Sequence, residues 1–193
     1  QFRHHTEDDS EIIWMSERDN YNHLYLYDKA TGKVKNQITK GDWYVRSVID
    51  VDEDARRIWF QASGVNKDED PYFIRYYSIG FDGSDMRDMT PSKGMHNAWL
   101  SADKKYIVDV TSTVADAPVA VLRNAETGEL VMDLETADIS EIVANGWKAP
   151  EVFVAKGRDG KTDMWGIIIR PTNFDPSKKY PILEYIYSGP GDH

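Results

Sequence analysis

Tyr187 closes an apolar, β-rich run that begins at Ile182, and Ser188-Gly189-Pro190-Gly191 follows at once. A strand delivered into such a turn can support chemistry, because its glycines let backbone N–H groups come close to a ligand. On its residues alone, Tyr187 reads as a tyrosine ending a buried strand. No nucleophile is legible beside it. A serine elbow of the G-x-S-x-G kind needs glycines two residues to either side, and no serine from Ser10 to Ser188 has that setting. Cysteine is absent, which excludes disulfides, zinc–thiolate sites and a cysteine nucleophile in this stretch.

The histidines are His4, His5, His23, His96 and His193. Adjacent His4 and His5 point to opposite faces of a strand, poor geometry for one metal. His23 and His96 lie in strand-like runs and are expected to satisfy local backbone groups, while the role of His193 depends on residues around it. Acid runs occur at Glu7-Asp8-Asp9, Asp50 to Asp54 and Asp68-Glu69-Asp70. None has the spacing of a calcium loop, so they are expected to be solvated turns. No metal or cofactor site is read from the sequence.

The net charge of −10 would repel a phosphate backbone and argues against nucleic-acid binding. At 40% hydrophobic the chain has the composition of a soluble protein with a core. No run approaches the roughly 18 apolar residues of a membrane-spanning helix.

The elements that must position these residues show through an internal repeat. Asp9 to Trp14, Asp54 to Trp59 and Asp103 to Val108 each place a polar turn before a strand. Each copy continues into a second strand: Leu24 to Tyr27, Ile74 to Tyr77 and Val119 to Leu122. Gly32, Gly83 and Gly128 then close hairpins. Four short strands in roughly 40 to 50 residues is the pattern of a β-propeller blade. The fold class expected is all-β: a partial β-propeller of about three blade-like repeats, which cannot close a ring of about four to eight blades. Trp14 and Trp59 are expected at equivalent blade positions, packing between blades.

After residue 135 the pattern changes. Thr136 to Gly146 carries Ile139, Ile142 and Val143 at helical spacing and stops at Asn145-Gly146. Glu151 to Ala155 and Met164 to Arg170 flank Gly157-Arg158-Asp159-Gly160, a hairpin signal. The expected boundary therefore separates blades at 1–135 from a second region at 136–193.

Trp165-Gly166-Ile167-Ile168-Ile169-Arg170-Pro171, then Asn173 to Pro181, then a strand ending Tyr187-Ser188-Gly189-Pro190, together carry a resemblance. The chain resembles the dipeptidyl peptidase IV branch of the prolyl oligopeptidase family of serine peptidases, strongly over 136–191 and more loosely over 1–135. The resemblance implies the C-terminal part of the propeller followed by the first strands of an α/β-hydrolase domain, truncated. It implies a parent that releases dipeptides, often X-Pro, from peptide amino termini through an acyl-enzyme. Tyr187 would then donate its hydroxyl to the oxyanion, and the charged loop Ser16 to Tyr21 would offer Glu17 and Arg18 to the cavity that admits substrate. The serine, aspartate, histidine and amino-terminus-binding glutamates would lie outside this stretch, leaving it inactive alone. Further implications are a peptide as partner, a homodimeric parent, no cofactor, and a periplasmic or exported location. The alternative is a non-catalytic propeller used for binding, since Ser101 to Tyr106 is similar to the turn of such modules.

Overall fold

The computed structural model describes residues 2–186, so Tyr187, the turn after it and His193 lie outside the described residues. Three four-stranded antiparallel meanders follow one another. The first contains β1 (Arg3–His5), β2 (Glu11–Ser16), β3 (His23–Asp28) and β4 (Val34–Gln37). The second contains β5 (Tyr44–Asp52), β6 (Arg57–Ser63), β7 (Ile74–Gly80) and β8 (Arg87–Asp88). The third contains β9 (Met95–Leu100), β10 (Tyr106–Ser112), β11 (Val119–Asn124) and β12 (Leu130–Thr136). This is a partial β-propeller. Beyond it come α1 (Ser140–Ala144) and a two-stranded hairpin of β13 (Glu151–Lys156) and β14 (Asp163–Ile168).

Contacts divide the chain into two compact units: one runs to Thr111 and includes Ala120–Glu135, and the other comprises Ser112–Val119 and the residues from Thr136 onward. In the first unit the period-2 alternation of each strand decides which face a side chain joins, and β6 and β7 bury residues on both faces. Ile13 and Met15 of β2 and Leu24 and Leu26 of β3 meet Ile58 and Phe60 of β6 and Tyr77 and Ile79 of β7, forming a core between the first and second sheets. The opposite face of the second sheet supplies Trp59 and Tyr76 to a second core with Ala98 and Ile107 of the third.

Trp14 and Trp59 are therefore not equivalent, contrary to the sequence expectation. Trp14 lies on the face of the first sheet away from the second, whereas Trp59 lies on the face of the second sheet toward the third. The turn explains it. Thr6 N donates to Glu11 O and Asp52 pairs with Arg57, so each turn encloses four residues. Asp9, however, stands two residues before its strand and Asp54 three, and that one-residue offset puts Trp14 and Trp59 on opposite faces.

Two glycines belong to the packing between sheets. Gly83, in the β7–β8 turn at φ 82°, would place a Cβ 2.8 Å from the Ile38 carbonyl oxygen of the first sheet. Gly128, in the β11–β12 turn at φ 74°, would place one 2.6 Å from the Asp88 carbonyl oxygen of the second. A side chain at either would press directly on the neighbouring backbone.

The second unit follows the hairpin expectation, with Asp159 Oδ1 accepting from Lys161 N and Thr162 N (both 2.9 Å) and Gly160 at φ 69°. The helix is shorter than the 136–146 expected and buries none of its residues. Ile182 to Ile186, expected as part of a strand, forms no ladder among the described residues and is exposed. Apolar, β-branched composition does not make a strand without a partner for its backbone groups.

Candidate functional site

The β2–β3 turn carries the two cavity candidates of the first sheet. Asn20 adopts φ 76°, and Asn20 N donates to Glu17 O (3.1 Å), closing the turn. Arg18 folds back onto the sheet: its Nε donates to Ser16 Oγ at 3.2 Å, its guanidinium lies 4.3 Å from the Tyr25 ring centre and 5.5 Å from that of Tyr27, and it also meets the Tyr27 hydroxyl. Trp14, across the ladder from Tyr25, extends this aromatic face. Glu17 is exposed at the turn and is not part of the stack.

Asp19 completes the patch. Burial pushes its carboxyl up, but hydrogen bonds from Gln37 (2.7 Å) and the Tyr25 hydroxyl outweigh this and hold it below the ordinary carboxylate range. Burial, then the bond to Asp19, raises Tyr25. The arrangement is one oriented guanidinium and one anionic carboxylate over tyrosine rings. That chemistry binds carboxylates, carbonyls or ammonium groups. It contains no nucleophile.

A larger cavity of about 400 Å³, lined among others by Lys35, Arg56, Arg57, Phe81 and Asp85, opens between the first two sheets. Glu17 and Arg18 do not line it. Its charges are committed to neighbours: Arg56 Nη1 donates to Glu11 Oε2 at 2.8 Å, Lys35 meets the same carboxylate, and Arg57 meets Asp85.

Two buried polar clusters escaped the sequence reading. In the third sheet, His96 Nδ1 lies 2.7 Å from Asp109 Oδ1 and Nε2 lies 2.7 Å from Ser92 O, while Arg123 Nε donates to Asp109 Oδ2 at 2.8 Å. Burial pushes the Asp109 carboxyl up, but the His96 and Arg123 bonds and charges more than reverse this and lower it. A histidine–aspartate pair beside a serine suggests acyl-transfer machinery, yet the ring faces the backbone carbonyl of Ser92. The Ser92 hydroxyl instead accepts from Arg123 Nη2 at 2.9 Å. With His96 3% and Asp109 0% exposed, the cluster holds strands together and meets no substrate. His23 is similarly spent, on Thr39 Oγ1 (3.0 Å) and Gly41 O (2.9 Å).

The second cluster corrects the reading of Asp68-Glu69-Asp70 as a solvated turn. The Glu69 side chain, only 8% exposed, pairs with Arg75, whose Nη2 donates to Glu69 Oε2 at 2.9 Å and whose Nη1 donates to Asp88 Oδ2 at 3.1 Å. The signal that would have found both clusters is a charged residue at an inward-facing strand position: Asp109 two after Ile107 in the first, and Arg75 two before Tyr77 in the second.

Comparisons with known proteins give a consistent pattern. A family model described as the dipeptidyl peptidase IV (DPP IV) N-terminal region matches residues 1–118. A probable dipeptidyl-aminopeptidase B of Penicillium rubens is 28% identical over 177 residues, covering 89% of this chain and 19% of that protein. The prolyl endopeptidase FAP of Mus musculus is 27% identical over 181 residues, 91% of this chain and 23% of its own. The chain thus spans about a fifth of the length of these curated relatives. A putative dipeptidyl aminopeptidase IV from Bacteroides ovatus superposes with a TM-score of 0.69 at 28% identity, over 90% of this chain and 26% of that one. Porphyromonas gingivalis dipeptidyl peptidase 4 gives 0.71 at 23% identity, over 93% and 24%, a likeness of fold.

Proposed function

This chain belongs to the dipeptidyl peptidase IV N-terminal-region family, and from that membership we propose that it is part of a serine exopeptidase that removes dipeptides, often X-Pro, from peptide amino termini. The observation that carries the reading is the family match over residues 1–118, joined to relatives aligned over about nine-tenths of the chain but only about a fifth of themselves. On this reading residues 1–135 are late propeller blades and 136–193 begin the hydrolase domain. The nucleophile, its histidine and its aspartate come from elsewhere in the parent, so the 193-residue chain alone is inactive. The parent is exported and dimeric.

In the parent, a serine attacks the scissile carbonyl, a histidine carries the proton to the leaving amine, and charge develops on the carbonyl oxygen. Tyr187 donates to that oxygen, while Glu17 and Arg18 line the route by which substrate arrives. Removing one oxyanion donor costs on the order of a hundred- to a thousand-fold in rate, about 3 to 4 kcal/mol.

The test is to express the open reading frame that contains this chain and assay it with an X-Pro p-nitroanilide, beside a Tyr187→Phe variant and the 193-residue chain. The expected result is turnover by the parent, a loss of roughly a hundred-fold or more in kcat for Tyr187→Phe with unchanged unfolding, and none from the chain alone. Wild-type turnover in Tyr187→Phe would remove that residue from the site. A parent without a serine elbow would leave a binding propeller.

A further inference from the structure

Residues of the β6–β7 connection and the two strands it joins surround a cavity of about 10 Å³, lined among others by Ala62, Asn66, Glu69, Phe73, Arg75 and Tyr77. Arg75 and Tyr77 reach it from the same face of β7, two residues apart, with Ala62 and Phe60 opposite them across the ladder. Both are deeply buried, at 6% and 3% exposure. Arg75 spends its Nη1 on Asp88 Oδ2 (3.1 Å) and Thr90 O (3.0 Å) and its Nη2 on Glu69 Oε2 (2.9 Å). Among the described residues its Nε–H and the Tyr77 hydroxyl have no protein partner. A buried donor without an acceptor is costly, so each such group in a native protein has a reason.

The surroundings define the occupant. It must accept a hydrogen bond from Arg75 Nε, which excludes a metal cation or an ammonium. Two carboxylates, Glu69 and Asp88, stand against the single guanidinium, which opposes a second anion. The volume matches a single water, which needs about 10 to 15 Å³ of such space and two to four polar partners. We propose that this cavity is a binding site for one buried water, which accepts from Arg75 Nε and the Tyr77 hydroxyl and donates to acceptors lining the same cavity, Glu69 first among them. The water ties the β6–β7 connection to the sheet. It also completes the ion-pair cluster whose charges would otherwise stand half-satisfied in a low-dielectric setting.

The test is a high-resolution crystal structure of the protein, with a parallel crystal soaked in bromide. The expected result is one ordered solvent peak about 3 Å from both Arg75 Nε and Tyr77 Oη, without anomalous signal. An empty cavity among well-ordered neighbours, or a bromide peak, would overturn the proposal. Tyr77→Phe supplies a solution readout that keeps the ring and its packing. With the water bound, amide exchange across residues 64–73 should accelerate about tenfold, the scale of one net hydrogen bond. If the cavity is dry, removing an unpartnered hydroxyl leaves exchange unchanged or slows it, and the proposal fails.

Discussion

The first two meanders and the β13–β14 hairpin use the same local language, apolar strands joined through turns, and arrive at opposite degrees of burial. In the meanders, Phe60, Ile58, Ile13 and Leu24 are 0% exposed. In the hairpin, Val152, Phe153, Val154 and Ile167 are between 42% and 52% exposed, and Ile182 and Leu183 beyond it reach 91% and 97%. Ladder bonds and turn chemistry are enough to shape a two-stranded ribbon. A core needs a second layer, and the meanders supply one to each other. The difference teaches that strand pattern reports local geometry, while stability resides where two faces meet.

The largest effect that tests this comparison is a matched pair of truncations. Phe60→Ala should cost about 3 to 5 kcal/mol, because it empties a site wholly enclosed between two sheets. Ile167→Ala should fall within about 0.5 kcal/mol. Urea unfolding followed by tryptophan fluorescence measures both. Equal shifts in midpoint would mean that the hairpin contributes to a common core, and the contrast would collapse.

Next in size is the buried cluster of the third sheet. Asp109 faces His96 and Arg123 at 0% exposure, so Asp109→Asn removes the anion that pairs with the Arg123 guanidinium and bonds the His96 ring, and should cost about 3 to 5 kcal/mol. The same carboxylate sets a pH dependence. Its folded pKa is depressed, so its contribution is complete above the unfolded value of about 3.9 and is lost as pH falls below that toward the folded value. Acid titration of the wild type should therefore show unfolding beginning below about pH 4, with a smaller acid-dependent loss in Asp109→Asn. Parallel acid curves for the two proteins would assign the effect to other carboxylates.

Much of this architecture was legible because hairpins announce themselves locally. Gly32, Gly83 and Gly128 occupy their turns at positive φ, and the strands preceding them stand where alternation placed them. Face assignment was not legible, since Asp9 stands two residues before its strand and Asp54 three, and that single residue separates Trp14 from the register of Trp59. The ion clusters were hidden for a related reason: Arg75 with Glu69, and Arg123 with Asp109, meet only when strands pair, and composition reads each charge as solvent-exposed. Arg18 was singled out as a charge in a loop, whereas its stacking on Tyr25 and Tyr27 follows from the ladder that places those rings under it. Tyr187 drew its meaning from the resemblance to a known family.

The smallest effect concerns what joins sheet to sheet. Asp9, Arg56 and Lys104 occupy corresponding first turns of the three meanders, all left-handed at φ 59°, 50° and 59°. Two of them reach back to the preceding sheet. Lys104 Nζ meets Asp50 and Asp52 at 3.0 and 2.9 Å and lies 5.1 Å from the Trp59 ring centre, and Arg56 meets Glu11. The first sheet holds an aspartate there, turned to its own Lys29. These clasps are partly exposed, so each should be worth about 0.2 to 1 kcal/mol, and Lys104→Ala, which loses two carboxylates and a ring, should lie at the upper end. Alanine keeps the Cβ, so the cost of the left-handed backbone is the same in both proteins and cancels from the comparison. The loss should shrink in high salt as the ion pairs are screened, leaving the contact with Trp59. A Lys104→Ala penalty above about 2 kcal/mol, indifferent to salt, would show that the clasp is a packed part of the second core.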